Sequence, residues 1–301
     1  MTSAANENLQ QLLASLSDRV RRIVPRRWRA GVAIVPVVRL AGAIGFVTPL
    51  KPGLTLAGVA RALDKAFNIR GAKAVALAIN SPGGSAAQSH LIYQRIRQLA
   101  AEKQLPVIAF VEDVAASGGY MMACAADEIV CDPSSIVGSI GVVGAFFGFH
   151  EAISKIGIER RVYSSGERKV MLDPFLPEKP EDVERLRVIQ TTIHENFIGL
   201  VKASRGTRLS GPEKTLFSGE FWTADTALGL GLVDRLGDLR SVLRERYGED
   251  VVTPLIVSSR GWLGRLSPSA EAAGRTWDRP SLAEEVVSAI EARALWARYG
   301  L

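Results

Sequence analysis

The chain has 301 residues, 47% of them hydrophobic and 23% charged, which is enough apolar material for one large domain or two small ones. That composition excludes collagen-like, low-complexity and disulfide-rich classes. The formal net charge of +6 is unevenly placed: residues 1–30 carry six arginines against Glu7 and Asp18, which leaves +2 for the other 271 residues. The basicity belongs to an arm, so a nucleic-acid-binding surface on the body is not expected.

Leu9, Leu12, Leu13, Leu16, Val20, Ile23 and Val24 recur at steps of three and four, one face of a helix that Pro25 stops, with Trp28 among arginines just beyond. A basic amphipathic helix of this kind suits an anionic membrane surface. Docking on the body or on a partner subunit is the alternative, and an organelle transit peptide a third reading. The segment is too polar to span a bilayer or to act as a secretory signal. The expected location is cytoplasmic, peripheral at the inner face of the membrane through residues 9–29.

Residues 31–47 are nearly apolar and rich in β-branched side chains, which predicts a first strand and a turn. Leu54 to Phe67 has helical spacing. Lys73 to Ile79 is a continuous apolar strand of the kind covered on both faces of a parallel sheet. It ends in Asn80-Ser81-Pro82-Gly83-Gly84-Ser85, and a helix to about Leu99 follows. Pro106 to Val111 is the next strand, and Met121 to Ala126 a buried helix. Further on come a strand at Glu128–Cys131, a Gly-spaced apolar run at Ile136–Val143, a helix at 150–157 and a strand at Ile158–Tyr163. A long helix from about Glu181 to Ser204 and two short ones lead to Gly231-Leu232-Val233-Asp234. Residues 258–281 read as a linker, and about 282–298 as a docking helix carrying Val286, Ile290, Leu295 and Trp296. Strands alternating with helices predict an α/β domain with a mostly parallel sheet. The expected organisation is a basic arm (1–30), the α/β domain (31–257), and a linker with its docking helix (258–301).

Between the strand at 106–111 and its helix lies Asp113-Val-Ala-Ala-Ser117-Gly118-Gly119-Tyr120. A serine among alanines and glycines at a strand-to-helix turn lifts its hydroxyl clear of neighbours, the geometry of a nucleophile. The same residues suit a helix N-cap. Main-chain amides of Gly84 and Gly118 offer two donors to a developing oxyanion, each worth about 2.7–4 kcal/mol. The base is less obvious. His90, His150 and His194 occur in no motif with an orienting acid, so a His-based triad is unsupported. Lys169, in a loop of small residues, is the other option. A lysine base must shed its proton near neutral pH against an ordinary value of about 10.4, and desolvation is the one supplier a sequence can hint at. Cys124 and Cys131 lie in apolar sequence without a nearby histidine and read as buried thiols, so no metal site is expected.

Five stretches in order, Asn80-Ser-Pro-Gly-Gly84, Ala116-Ser-Gly-Gly-Tyr120, Gly138-Ser139-Ile-Gly-Val142, Ser165-Gly166-x-x-Lys169 and Gly231-Leu-Val-Asp234, resemble the signal peptide peptidase A / SohB family of serine peptidases, family S49. The resemblance covers about residues 31–245, in a short single-repeat form. It implies a ClpP/crotonase-like fold and a Ser-Lys dyad that uses neither metal nor cofactor. Carried over by residue, it implies Ser117 as nucleophile, Lys169 as general base, Ser139 as a hydroxyl that holds the lysine, and Gly84 and Gly118 as oxyanion donors. It also implies peptide or protein substrates with apolar segments, such as signal-peptide remnants, and homo-oligomers whose subunits complete each other's sites. Two departures are the lack of an N-terminal membrane anchor and the sequence Lys169-Val-Met-Leu-Asp-Pro174. Phe146-Phe147-Gly148-Phe149 offers an apolar pocket lining, core or subunit contact. The competing functions are a crotonase-like acyl-CoA enzyme, which needs the glycine amides but neither Ser117 nor Lys169, and a catalytically silent membrane-associated scaffold.

Overall fold

Alternation of apolar runs with amphipathic stretches builds a sheet covered by helices on both faces. The structure, a computed structural model, describes residues 32–45, 53–166, 168–257, 290, 293–294 and 296–299. Its strands are β1 (Val37–Ala41), β2 (Val75–Ser81), β3 (Val107–Ala116), β4 (Glu128–Cys131), β5 (Ile136–Gly138), β6 (Phe221–Thr223), β7 (Arg235–Leu236) and β8 (Leu255–Ile256). They form one sheet in the order β6-β5-β3-β2-β1-β8, with β4 pairing β3 and β7 pairing β4. All pairings are parallel except that of β5 with β6. The helices are α1 (Leu56–Phe67), α2 (Ala86–Lys103), α3 (Gly118–Ala123), α4 (His150–Lys155), α5 (Pro180–Arg205), α6 (Glu213–Leu216), α7 (Ala224–Gly229) and α8 (Leu239–Tyr247). The expected α/β class with a mostly parallel sheet is the one observed.

Period-two alternation sorts β2 and β3 between two cores. Leu77, Ile79, Val107 and Ala109 pack in a cluster with Leu63 and Phe67 of α1 and Ile92 and Ile96 of α2. Ala76, Ala78, Ile108 and Phe110 point the other way, into a cluster with Val242 and Leu243 of α8. Polar residues start the helices by accepting from free amides: Thr55 from Gly58, Ser85 from Gln88, and Asp238 from Arg240 and Ser241.

Two expectations need correction. The strand expected at Pro106–Val111 continues to Ala116 because its first half pairs with β4 and its second half with β5. Its register against β2 shifts between the pairs Ile79–Val111 and Ser81–Ala115. The two extra residues, Glu112 and Asp113, are exposed, and the Ser135 hydroxyl holds the bulge at the Glu112 carbonyl, 2.5 Å away. The turn before α3 thus shrinks to Ser117. Of Ile136–Val143, only Ile136–Gly138 is strand. Ile158–Tyr163, expected as a strand, is irregular and largely exposed; its β-branched content finds no neighbouring strand among the described residues. The expected helix over residues 9–24 and the linker at 258–281 lie outside the described residues, as do Val286 and Leu295. Near the C terminus, Ile290 is exposed, whereas Trp296 and Tyr299 pack against Val114, Ala116 and Ile136.

Behind α3 sits a buried ion pair. Arg205, at the end of α5, is 1% exposed and donates to both carboxylate oxygens of Asp234 at 2.7 and 2.8 Å and to the Gly231 carbonyl at 2.9 Å. Asp234 also accepts from the Ile129 amide at 2.8 Å. The neighbouring Leu232 carbonyl accepts from the Tyr120 hydroxyl at 2.7 Å. The Gly231–Asp234 motif therefore ties α5, β4 and α3 together. Burial pushes the Asp234 carboxyl up, but the Arg205 hydrogen bond, the Ile129 amide and the Arg205 and Arg208 charges outweigh it and hold it below the usual carboxylate range. A carboxylate held low in the folded state gives its full stabilisation above its ordinary value of about 3.9 and loses it as pH falls through the depressed value. Asp234→Asn strands a buried guanidinium and should lower the unfolding free energy by about 3–5 kcal/mol at pH 7. Urea denaturation should show the gap to wild type closing as the pH falls through the acidic range.

Candidate active site

Three main-chain segments meet at the carboxyl edge of the sheet: 42–45 after β1, 82–85 after β2, and Ser117–Gly119 after β3. Hydrogen bonds lace the first two, from Ile44 N–H to the Gly83 carbonyl and from Ser85 N–H to the Ile44 carbonyl, both at 2.9 Å. A Cβ on Gly84 would lie 2.2 Å from the Ile44 carbonyl oxygen, and its φ of +140° already lies where side chains are strained. A Cβ on Gly118 would meet the Ser89 hydroxyl at 2.2 Å. Backbone atoms require glycine at position 84, whereas at 118 a side chain would displace the Ser89 hydroxyl. The amides of Gly84 and Gly118 donate to no other group among the described residues.

Ser117 occupies the single-residue turn with φ 53° and ψ −121°, and its hydroxyl makes no capping bond to α3. The N-cap reading therefore fails in its physical content: the residue stands at the cap position without capping. Its amide is held by the Gly138 carbonyl at 2.8 Å. Because Ala116 pairs with Gly138 in the β3–β5 register, Ser139 follows β5 as Ser117 follows β3, on the adjacent strand end. Ser139 is buried, has the same φ of 53°, and donates its amide to the Glu220 carbonyl at 2.6 Å.

Ser117, Gly118 and Gly84 line one cleft of about 180 Å³. Its other walls are mainly apolar, from Met121 of α3, Val142 and Val143 beyond β5, and Ile193 and Phe197 of α5; Arg298 is its one charged lining residue among those described. The structure thus gathers Ser117, Gly84 and Gly118, with Ser139 beside them. It does not bring Lys169 to this cleft. Lys169 is exposed on the turn after Gly166, whose carbonyl accepts its amide at 3.3 Å, and its ammonium has no acidic partner among the described residues.

The histidines divide. His90 stacks on Tyr93 at a centroid distance of 6.2 Å, and His150 is exposed at the start of α4. His194 stands in no motif that predicts a role, yet its Nε2 lies 2.9 Å from the Ile140 carbonyl, which requires that nitrogen to carry the proton. It pins the cleft wall after Ser139 to α5, through a contact that spans 54 residues and that no local spacing announces. Burial pushes the Cys124 thiol up to about 12 and raises Cys131 as well, so both remain neutral thiols away from the cleft. Among the described residues, no group of three or more His, Cys, Asp or Glu side chains is arranged to hold a metal ion.

The family model for peptidase family S49 matches residues 99–250, half of the chain. The chain belongs to peptidase family S49. The matched segment contains Ser117, Ser139 and Lys169, while Gly84 precedes it. The α/β architecture expected for this chain, a mostly parallel sheet flanked by helices, is the one described above. The chain is 53% identical over 95% of its length to a protein named Na(+)/H(+) antiporter NhaA from Brucella abortus, and it spans only 40% of that relative. It is 34% identical over 71% of its length to the chloroplastic serine protease SPPA of Arabidopsis thaliana, of which it covers 32%. A solved structure, that of a point mutant of the 1510-N membrane-bound stomatin-specific protease, is similar at 18% identity and a TM-score of 0.42, over 75% of this chain and 95% of that one.

A non-glycine residue held at positive φ stores about 1–3 kcal/mol of strain. Replacing Ser117 by Gly releases it against a smaller loss from the more flexible unfolded chain. Thermal and urea unfolding should find Ser117→Gly more stable than Ser117→Ala by about 1 kcal/mol.

Proposed function

We propose that this S49 chain is a serine endopeptidase in which Ser117 attacks the scissile carbonyl of peptides with apolar segments. One observation carries the reading: an uncapped serine at a strained strand-to-helix turn lines a mainly apolar cleft together with two glycines whose amides donate to no other group among the described residues. The amides of Gly84 and Gly118 take the oxyanion. Lys169, as neutral amine, accepts the Ser117 proton, passes it to the leaving amine, and then activates the water that releases the acyl group. Ser139, on the neighbouring strand end, holds the amine in place.

For Lys169 to do this it must come from a second copy of the chain. It lies on an arm in which no described residue from 141 to 196 is buried, although the arm carries large apolar groups. Phe147, Phe149 and Phe175 stack on one another at 6.0 and 5.6 Å, and Phe146, Ile156, Ile158 and Tyr163 are exposed. Contiguous exposed apolar surface of this kind is normally covered by a partner. Ion exchange, named for the Brucella relative, is not assigned to this chain: the peptidase match lies within it, and no helix among the described residues is long and apolar enough to cross a membrane. Attachment at a membrane surface through residues 9–29, outside the described residues, would bring the cleft to apolar peptides there.

The test is cleavage of an unfolded protein by wild type, Ser117→Ala and Lys169→Ala. Both variants should lose at least about 10³-fold in rate while keeping the wild-type melting transition. An equimolar mixture of the two should regain activity, because a hybrid site then pairs an intact Ser117 with an intact Lys169. A fully active Ser117→Ala variant would sink the peptidase mechanism. Full activity of Lys169→Ala would sink the base assignment.

A further inference from the structure

A second cavity lies directly behind the Ser117 cleft. It is a groove of about 650 Å³ between α2 and α5, reaching His90 and Tyr93 on one side and Leu200 and Ala203 on the other. The two cavities share Ala86, Met121, Ile193 and Phe197 as lining. Met121 and Phe197 are the large members of that set that belong to the core, and they are 5% and 3% exposed. A side chain that lines two cavities from within the core is a wall between them.

Each half of the wall is fixed independently. The Met121 amide makes the first helical bond of α3, to the Ser117 carbonyl at 3.0 Å, so the methionine stands one turn above the serine on the same helix face. Phe197 stands three residues beyond His194, whose ring holds the Ile140 carbonyl of the opposite lip. In front of the wall, about 180 Å³ is room for one side chain of a peptide. Behind it, about 650 Å³ falls in the range of sites that enclose a whole small ligand, roughly 300–1,000 Å³.

We propose that Met121 and Phe197 set the upper size of the apolar side chain that the cleft accepts beside the bond to be cut, and that the groove is space this wall withholds. The inference rests on the reading of the cleft as the peptidase site. Small and medium aliphatic side chains fit in front of the wall, whereas a large aromatic one meets the Phe197 ring, which has no unbranched chain to fold aside as methionine has. Shortening either wall residue joins the two cavities and admits the aromatic. The groove's far side chains then decide whether it fits, and Ala203 lines the groove without lining the cleft.

The experiment compares cleavage-site profiles on one peptide library, read by mass spectrometry, for the full-length wild type and the variants Phe197→Ala, Met121→Ala, Ala203→Trp and Phe197→Ala with Ala203→Trp. Wild type should cut beside Ala, Val and Leu and discriminate against Phe and Trp. Phe197→Ala should raise the Trp-to-Leu rate ratio by about tenfold or more, and Met121→Ala should raise it in the same direction. Ala203→Trp should leave the wild-type profile unchanged and abolish the gain in the double variant, because the indole refills the groove from behind. Unchanged profiles in both single wall variants that still cut Ala and Leu peptides overturn the inference. So does a gain that survives Ala203→Trp. If Phe197→Ala does not fold, the profile of Met121→Ala decides. A wild type that cuts no peptide overturns the peptidase reading itself, and this inference with it.

Discussion

The packing of three main-chain segments around Ser117 is the constraint on which the rest of this structure depends. Residues 42–45, 82–85 and 117–119 approach so closely that a methyl group on Gly84 would fall 2.2 Å from the Ile44 carbonyl oxygen and one on Gly83 2.8 Å from the Ser117 Cβ. Such an approach is possible only where no side chain intervenes, and among the described residues the amides of Gly84 and Gly118, which line the cleft, donate to no other group. The same crowding holds Ser117 at positive φ, where a side chain costs free energy. Stability surrendered at this edge is offset elsewhere in the core.

Part of that offset lies directly behind α3. The Arg205–Asp234 pair, with Gly231, Ile129 and the Tyr120–Leu232 bond, fills a region where an unpaired charge would be costly. Its geometric role is as important as its energy. Tyr120 lies three residues beyond Ser117, so anchoring its hydroxyl limits how far the first turn of α3 can shift. α5 extends the arrangement outward. Its C-terminal end holds the clamp, its middle supplies Phe197 to the cleft and His194 to the Ile140 carbonyl, and its N-terminal half is free of burial among the described residues. One helix thereby links the rigid core, the wall of the site and the exposed arm.

Chemistry and local geometry coincide at the carboxyl ends of the apolar strands. Small residues at the ends of apolar strands marked Ser117, Gly84 and Gly118, because only such residues permit close backbone approach. The same logic failed at Ile158–Tyr163, where β-branched composition suggested a strand. A strand forms only when a neighbour completes its hydrogen bonds, and composition does not say whether that neighbour exists. His194 and Arg205 were missed for a related reason. Their partners, Ile140, Gly231 and Asp234, are 26 to 54 residues away in the chain, and nothing in the local pattern distinguishes them from surface residues of a long helix.

By itself the sequence determined the α/β class, the strands that became β1 to β4 and the glycine-flanked serine, since these follow from period, burial pattern and the steric needs of single residues; the short strands β6, β7 and β8 carry no such pattern. Only the tertiary structure decided that β3 changes partners partway along its length, which reduces the turn to Ser117 alone and sets Ser139 on the adjoining strand end. It also decided that Lys169 stands on an exposed arm away from the cleft, and that Met121 and Phe197 divide one cavity from another. These are relations between segments far apart in the chain. Their free energy comes from packing and hydrogen bonds that exist only once the sheet has assembled, so no window of local sequence contains them.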